Sequence, residues 1–235
     1  MTDLERPILD VTEFRAWYDA ENPIMSGNHF VVPPGNVVGL LGGNGAGKTT
    51  FIRGLTGLLS GWSSKSFLVQ GRESFPKEKD FKSTRYAVYS EDRSFPLWTF
   101  KDLLGYLHSV YGQKINDSKI NSLIEGFSFS PHVETRLSDL SSGNNKKARL
   151  ICAFSLDLSL LILDEPVDFL DFTGTEFLYE TIASYSHQGK SVFMSSHIAE
   201  SFVRCCDIMY LLQDGELSGP FQVPDHAADV VHLLK

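Results

Sequence analysis

The stretch Gly42-Gly43-Asn44-Gly45-Ala46-Gly47-Lys48-Thr49 constrains this chain more than any other, because it fits G-x-x-x-x-G-K-[ST] with fitting neighbours on both sides. Ahead of it, Asn36 to Leu41 is a short apolar run bounded by Gly and Pro, which predicts a buried parallel strand. Behind it, Phe51, Ile52, Leu55, Leu58 and Leu59 recur at helical spacing and predict one apolar helix face. A glycine-rich turn between strand and helix lets successive backbone N–H groups converge on phosphate oxygens, and the helix N-terminus adds the positive end of its dipole. The segment from Gly42 to Thr50 is therefore expected to bind a nucleoside triphosphate. Lys48 would reach the β and γ phosphates, and the Thr49 hydroxyl would ligate Mg²⁺.

Charge and apolar patterning exclude several other classes. The 235-residue chain carries a formal net charge of −8 and no basic stripe, which argues against nucleic-acid binding, since neutralising phosphates needs basic surface. The apolar run Leu160 to Leu163 falls far short of the roughly 18 residues of a membrane span, and the acidic start Met1 to Asp10 is unlike a secretion signal. A cytoplasmic location is expected. Cys152, Cys205 and Cys206 form no CxxC pair, and adjacent cysteines bridge only with strain, so reduced thiols are expected.

Along the chain, Phe30 to Val32 and the turn Pro33-Pro34-Gly35 lead into the phosphate-loop strand. From about 72 to 157 the character changes, with helical patterns over Thr99 to Tyr111 and Ser118 to Phe127. Leu158 to Leu163 and Ser191 to Ser195 then read as buried strands separated by a helix over Gly174 to Ser186, a β-α-β rhythm of parallel sheets. Ile208 to Leu212, the Asp214-Gly215 turn and Leu217 predict a hairpin.

The run Leu160 to Leu163 ends in Asp164-Glu165, which places two carboxylates at the carboxyl edge of a parallel sheet, where ligands bind. Asp164 can hold the metal that Thr49 touches, and Glu165 can orient and deprotonate the attacking water. Upstream, Ser141 of Leu140-Ser141-Ser142-Gly143-Asn144 can cap a helix running from Asn145 to about Leu156.

With these motifs in order, the chain resembles the ATP-binding subunit of an ATP-binding cassette (ABC) transporter: Leu140 to Asn144 is similar to the family signature L-S-G-G-Q. The resemblance runs from roughly Val11 to Leu217. It implies an α/β fold of the P-loop NTPase, ABC-type ATPase class, with a mostly parallel core sheet, an antiparallel β part and a helical subdomain. Residues 1–71 and 158–235 would form the core, and about 72–157 the helical subdomain. It further implies that Ser141, Ser142 and Gly143 face the ATP held by a second ATPase subunit, so that two sites are sandwiched head to tail.

The remaining positions follow as implications of the same resemblance. Asp171 is the acid of the loop after the Asp164-Glu165 strand, and His197, in Ser195-Ser196-His197, is the switch histidine that binds the γ-phosphate and holds Glu165 and water. Tyr18 occupies the place of an aromatic that stacks on adenine, with Trp17 as the alternative. Glu91 stands in for the family's loop glutamine. A bare carboxylate roughly 6 Å from a phosphate oxygen would cost about 2 to 3 kcal/mol at an effective dielectric near 20, which a shared Mg²⁺ would reverse, making Glu91 a candidate metal contact. Ser142 for glycine and Asn144 for glutamine bear on hydrolysis more than on ATP binding.

Phe95-Pro96-Leu97-Trp98-Thr99-Phe100 is the expected grip on a short helix of a transmembrane permease partner, with Trp98 expected to be partly exposed. The implied function is an ATPase that dimerises on MgATP and powers a membrane-spanning partner from the cytoplasmic face. The single-domain form favours an exporter, with an importer subunit as the alternative. A nucleotide-gated scaffold with little hydrolysis is the second reading.

Overall fold

The computed structural model describes residues 6–19 and 23–233. The chain begins with β1 (Leu9–Ala16) and β2 (Met25–Val32), then enters β3 (Val37–Leu41), the glycine-rich turn and α1 (Lys48–Leu55). Three short strands follow, β4 (Trp62–Ser63), β5 (Ser66–Val69) and β6 (Arg72–Glu73), then α2 (Lys79–Thr84) and β7 (Arg85–Val88). After α3 (Phe100–Val110), α4 (Asp117–Gly126) and α5 (Ser142–Ser155), the chain returns through β8 (Leu160–Asp164), α6 (Phe172–His187), β9 (Ser191–Ser196) and α7 (Ala199–Cys205). It ends in the hairpin β10 (Ile208–Gln213) and β11 (Glu216–Gln222), followed by α8 (Ala227–His232).

The strands join in the order β6-β5-β1-β2-β11-β10-β3-β9-β8-β7, with β4 on β1. From β10 to β7 every pairing is parallel. The other end, built on β1, is antiparallel. This is the α/β arrangement expected, with a mostly parallel core and an antiparallel part.

Alternation along the central strands explains why the core is double-sided. Leu160 and Ile162 of β8 join the cluster around α1, whereas Leu161 and Leu163 join the cluster of α3 to α6. Val192 and Met194 of β9 face the second cluster while Phe193 faces the first. A strand buried on both faces must read as a continuous apolar run, because its side chains alternate with period 2. On the α1 side, Phe30, Phe51 and Phe193 pack at centroid distances of 5.0, 4.8 and 6.0 Å, each pair worth about 0.5–1.5 kcal/mol beyond area burial.

Caps set the helix starts. At α3, the Asp102 carboxylate accepts from Thr99 N at 2.8 Å and Thr99 Oγ1 accepts from Asp102 N at 3.2 Å. Those bonds hold the Asp102 carboxyl below its ordinary range. Asn116, Ser141 and Asp171 cap α4, α5 and α6 through their side chains.

The structure corrects several expectations. The helix after the glycine-rich turn stops at Leu55: Thr56 bonds back to Ile52 O at 2.8 Å through its hydroxyl, and Gly57 takes φ +72°. Leu59 still reaches the core from the following turn, but Leu58 is 63% exposed and off the helix. The strand β1, which pairs with both β2 and β5, was not anticipated. Within the segment from 72 onward, expected to be mostly helical, β7 pairs in parallel with β8 and belongs to the central sheet. The α-helices of this stretch are α2, α3, α4 and α5.

Candidate active site

The glycine-rich turn leaves the C-terminal end of β3 and closes on α1. Gly45 and Gly47 take φ values of +81° and +102°, backbone that L side chains rarely adopt. A Cβ placed on Gly43 or Gly45 would meet nothing within 4 Å, so both line open space. Residues Gly43 to Thr50 border a cleft of about 520 Å³, shared with Arg53, Ser90, Glu91, Glu165 and Asp168. Lys48 is buried, and its Nζ donates to Gly42 O at 2.7 Å and Gly43 O at 3.1 Å.

The end of β8 faces this loop. Asp164 is fully buried, with Oδ2 accepting from Thr49 Oγ1 at 2.9 Å and Oδ1 from Ser195 Oγ at 2.7 Å. Ser195 Oγ also accepts from Glu165 N at 3.0 Å. Glu165 Oε1 lies 3.0 Å from Lys48 Nζ, and Oε2 lies 3.0 Å from His197 Nδ1. The Glu165 backbone sits at φ +46°, a conformation uncommon outside glycine and one that concentrates at functional sites. Phosphate loop, Asp164, Glu165 and His197 thus meet at one point.

The oxygen set suits a hard divalent cation. Thr49 and Asp164 already touch, Glu91 borders the same cleft, and hydroxyl and carboxylate oxygens are the ligands Mg²⁺ takes. The convergent glycines and Lys48 provide the anion cradle such an ion accompanies.

Two residues of the site escaped the sequence reading. Ser195 links Asp164 to the Glu165 backbone, and its only signal was a polar residue at the end of a buried strand. Asp168 brings a carboxylate oxygen within 4.8 Å of ligand atoms of Glu165 and His197, and burial followed by repulsion from Glu165 raises its pKa. Nothing in its spacing announced this, because the turn after Glu165 folds back on itself.

Tyr18 is 60% exposed, its hydroxyl accepting at 3.3 Å from Nη1 of Arg53, a residue that borders the cleft. Trp17 instead backs onto Gly61, where an added Cβ would meet its carbonyl at 2.2 Å. Of the two aromatics, Tyr18 is the one near the loop.

Ser141, Ser142 and Gly143 do not border the Lys48 cleft of the same chain. They line a separate shallow surface with Asn144, Lys147, Phe169 and Asp171. Ser141 Oγ accepts from Asn144 N at 3.3 Å, which caps α5, and Asn144 Nδ2 donates to His132 Nε2 at 2.9 Å. Gly143 is required by close approach, since a Cβ there would lie 2.5 Å from Phe169 O. Lys147 Nζ pairs with Asp171 Oδ2 at 2.8 Å, and this bond holds the Asp171 carboxyl below its usual range.

On the far side of the Glu91 loop, Phe95 and Trp98 stack at 4.4 Å and Trp98 meets Tyr106 at 5.2 Å. Trp98 is half-buried against the helical cluster, as expected, while Leu97 is 72% exposed.

Comparisons with known proteins agree with this geometry. A family model described as ABC transporter matches residues 25–168. The putative ABC transporter ATP-binding protein AlbC of Bacillus subtilis (strain 168) is 33% identical over 214 residues, covering 89% of this chain and 90% of the relative. Nod factor export ATP-binding protein I of Rhizobium leguminosarum bv. viciae is 31% identical, covering 79% of this chain and 60% of the relative. Among solved structures, an ATP binding subunit of an ABC transporter superposes with a TM-score of 0.83 at 22% identity, covering 96% of this chain and 98% of that one, a likeness of fold.

Proposed function

The chain belongs to the ABC transporter family as an ATP-binding subunit, and from this we propose that it binds MgATP, pairs with a second ATPase subunit and hydrolyses ATP with Glu165 as the general base. The observation that carries the reading is the position of Glu165, with one carboxylate oxygen 3.0 Å from Lys48 Nζ and the other 3.0 Å from His197 Nδ1. A carboxylate fixed between a phosphate-binding cation and a histidine is placed to accept the proton of an attacking water.

Each residue has a distinct task. The loop amides from Gly42 to Thr50 cradle the phosphates, and Lys48 exchanges its carbonyl partners and Glu165 for phosphate oxygens. Mg²⁺, held by Thr49 and Asp164 with Glu91 in reach, would neutralise charge on the β and γ phosphates. Release of Lys48 frees Glu165 Oε1 for water, while His197 keeps Oε2 in place and turns its remaining ring nitrogen toward the γ-phosphate. Tyr18 stacks on the adenine. Ser141, Ser142 and Gly143, which face away from their own cleft, close the site of the partner subunit.

Phe95, Leu97, Trp98 and Tyr106 form an apolar, largely aromatic surface suited to a helix of a membrane-spanning permease. No helix among the described residues is long and apolar enough to cross a membrane, so the spanning part is assigned to that partner. The relative named for Nod factor export supports export as the direction. In this reading the chain divides into an α/β core and a helical subdomain, and α5 of the latter moves against the strand that ends in Glu165. The test is co-purification from membranes, followed by phosphate release with and without the recovered partner. Partner-stimulated hydrolysis supports the reading, whereas ATP binding without measurable hydrolysis favours a nucleotide-gated scaffold.

A further inference from the structure

Four main-chain carbonyl oxygens converge on a single buried ammonium. Lys146, in the second turn of α5, is only 4% exposed, and its Nζ lies 3.4 Å from Tyr89 O, 3.4 Å from Ser90 O, 3.4 Å from Asp164 O and 3.3 Å from Glu165 O. These carbonyls belong to the ends of the neighbouring parallel strands β7 and β8, where the sheet ladder runs out of amide donors. Lysine carries three donors and no acceptor, and a positive charge strengthens every contact to carbonyl oxygen. Burial lowers the Lys146 pKa, while Asp164, Asp168 and Glu165 pull it back up.

Arg149 holds the same loop from its other side. Its Nη1 donates to Asp92 Oδ2 at 2.8 Å, and its Nη2 donates to Ser94 O at 3.0 Å. Glu91 therefore lies on a segment fastened to α5 at both ends. Of the two cations, Lys146 alone also reaches the strand end that carries Glu165. Glu165 needs such fixing, because its backbone is held at φ +46°.

We propose that Lys146 is a positioning residue for hydrolysis, tying the signature helix, the Glu91 loop and the Glu165 strand end together through their carbonyls. A movement of α5 would then shift Glu91 and Glu165 in concert. The catalytic part of this inference rests on Glu165 as the general base, but the mechanical part does not.

The test uses the full chain with Lys146→Met, which keeps the stem and removes the donors, Lys146→Arg, which restores donors, and Arg149→Gln as a control. Amide hydrogen exchange is read at residues 90–92 and 165–167, with kcat and KM for MgATP alongside. Lys146→Met is expected to speed exchange at both segments at least tenfold and to lower kcat at least tenfold with KM within twofold, and Lys146→Arg to recover part of each. Arg149→Gln is expected to loosen the 90–92 segment and spare 165–167. Unchanged exchange at 165–167 in Lys146→Met, or an equal change in Arg149→Gln, overturns the proposal. If Lys146→Met does not fold, Lys146→Gln, which removes the charge and keeps two donors, is expected to speed exchange at both segments severalfold and by more than Lys146→Arg does, and unchanged exchange at 165–167 in it overturns the proposal. A parent chain without hydrolysis would refute the ATPase reading while the exchange data still decide the role of Lys146.

Discussion

Lys48 and Glu165 form a direct ion pair, Nζ to Oε1 at 3.0 Å, with side chains only 7% and 9% exposed. Removing one member of a buried pair strands the other charge, typically at about 3–5 kcal/mol. Phosphate must therefore displace Glu165 from Lys48 before Glu165 can serve water. Glu165→Gln relieves that competition and removes the base. ATP affinity, followed by titration of the purified chain, is expected to be equal or tighter than in the parent, while phosphate release falls by about 10²–10⁴-fold. Equal turnover of mutant and parent would exclude Glu165 as the base.

Ser195 holds the two carboxylate residues Asp164 and Glu165 in register, donating to Asp164 Oδ1 at 2.7 Å and accepting from Glu165 N at 3.0 Å. Ser195→Ala leaves a buried amide and a buried carboxylate each short of a partner, at about 1–3 kcal/mol. The expected result is a lower melting temperature and a higher Mg²⁺ concentration for half-maximal phosphate release. Ser195→Thr, which keeps the hydroxyl, is expected to retain more of both.

Gly143 passes close under the turn after β8. Because an added Cβ would lie 2.5 Å from Phe169 O, Gly143→Ala must push that turn away from α5, at about 1–3 kcal/mol. As Gly143 does not border the Lys48 cleft of its own chain, ATP binding by the isolated subunit is expected to be within twofold of the parent. Under the proposed sharing of the site between two subunits, hydrolysis is expected to drop at least tenfold in a steady-state assay.

His108 provides a pH-dependent stability term in the helical part. It is buried, its Nε2 donating to Ser155 Oγ at 3.0 Å while the Ser155 hydroxyl donates to Cys152 O at 2.7 Å. Burial lowers its pKa below the ordinary 6.5. The unfolded chain then takes up a proton that the folded chain refuses, so this contribution is full above about pH 6.5 and is lost as pH falls toward the folded-state value. Thermal melts between pH 7.5 and 5.5 should show the midpoint dropping on the acid side, and His108→Phe should flatten part of that drop.

How much was legible beforehand follows from the range of the interactions. The phosphate loop, the strand ending in Asp164-Glu165 and the cap at Ser141 are local patterns and so were legible in the sequence, whereas the place of His197 beside Glu165 came from the family resemblance and not from any local pattern. The convergence of Lys146 on four carbonyls, the link through Ser195 and the folding-back of Asp168 depend on strand ends brought together from distant segments, and no periodicity encodes them. The strand Arg85 to Val88 carries no clear local signal for a related reason: it is short and borders charged turns, and only its pairing with Leu160 to Leu163 makes it a core strand. Leu58 matched the helix period, but the left-handed Gly57 ended the helix first.

The shared site is tested most directly by the mass of Glu165→Gln in solution with MgATP, measured by light scattering on a sizing column. A dimer in MgATP that reverts to monomer without nucleotide is expected, because the bound ATP then bridges the loop of one copy and Ser141 to Gly143 of the other. A monomer at saturating MgATP, with ATP binding intact, would mean that the phosphate loop works without the partner's signature segment.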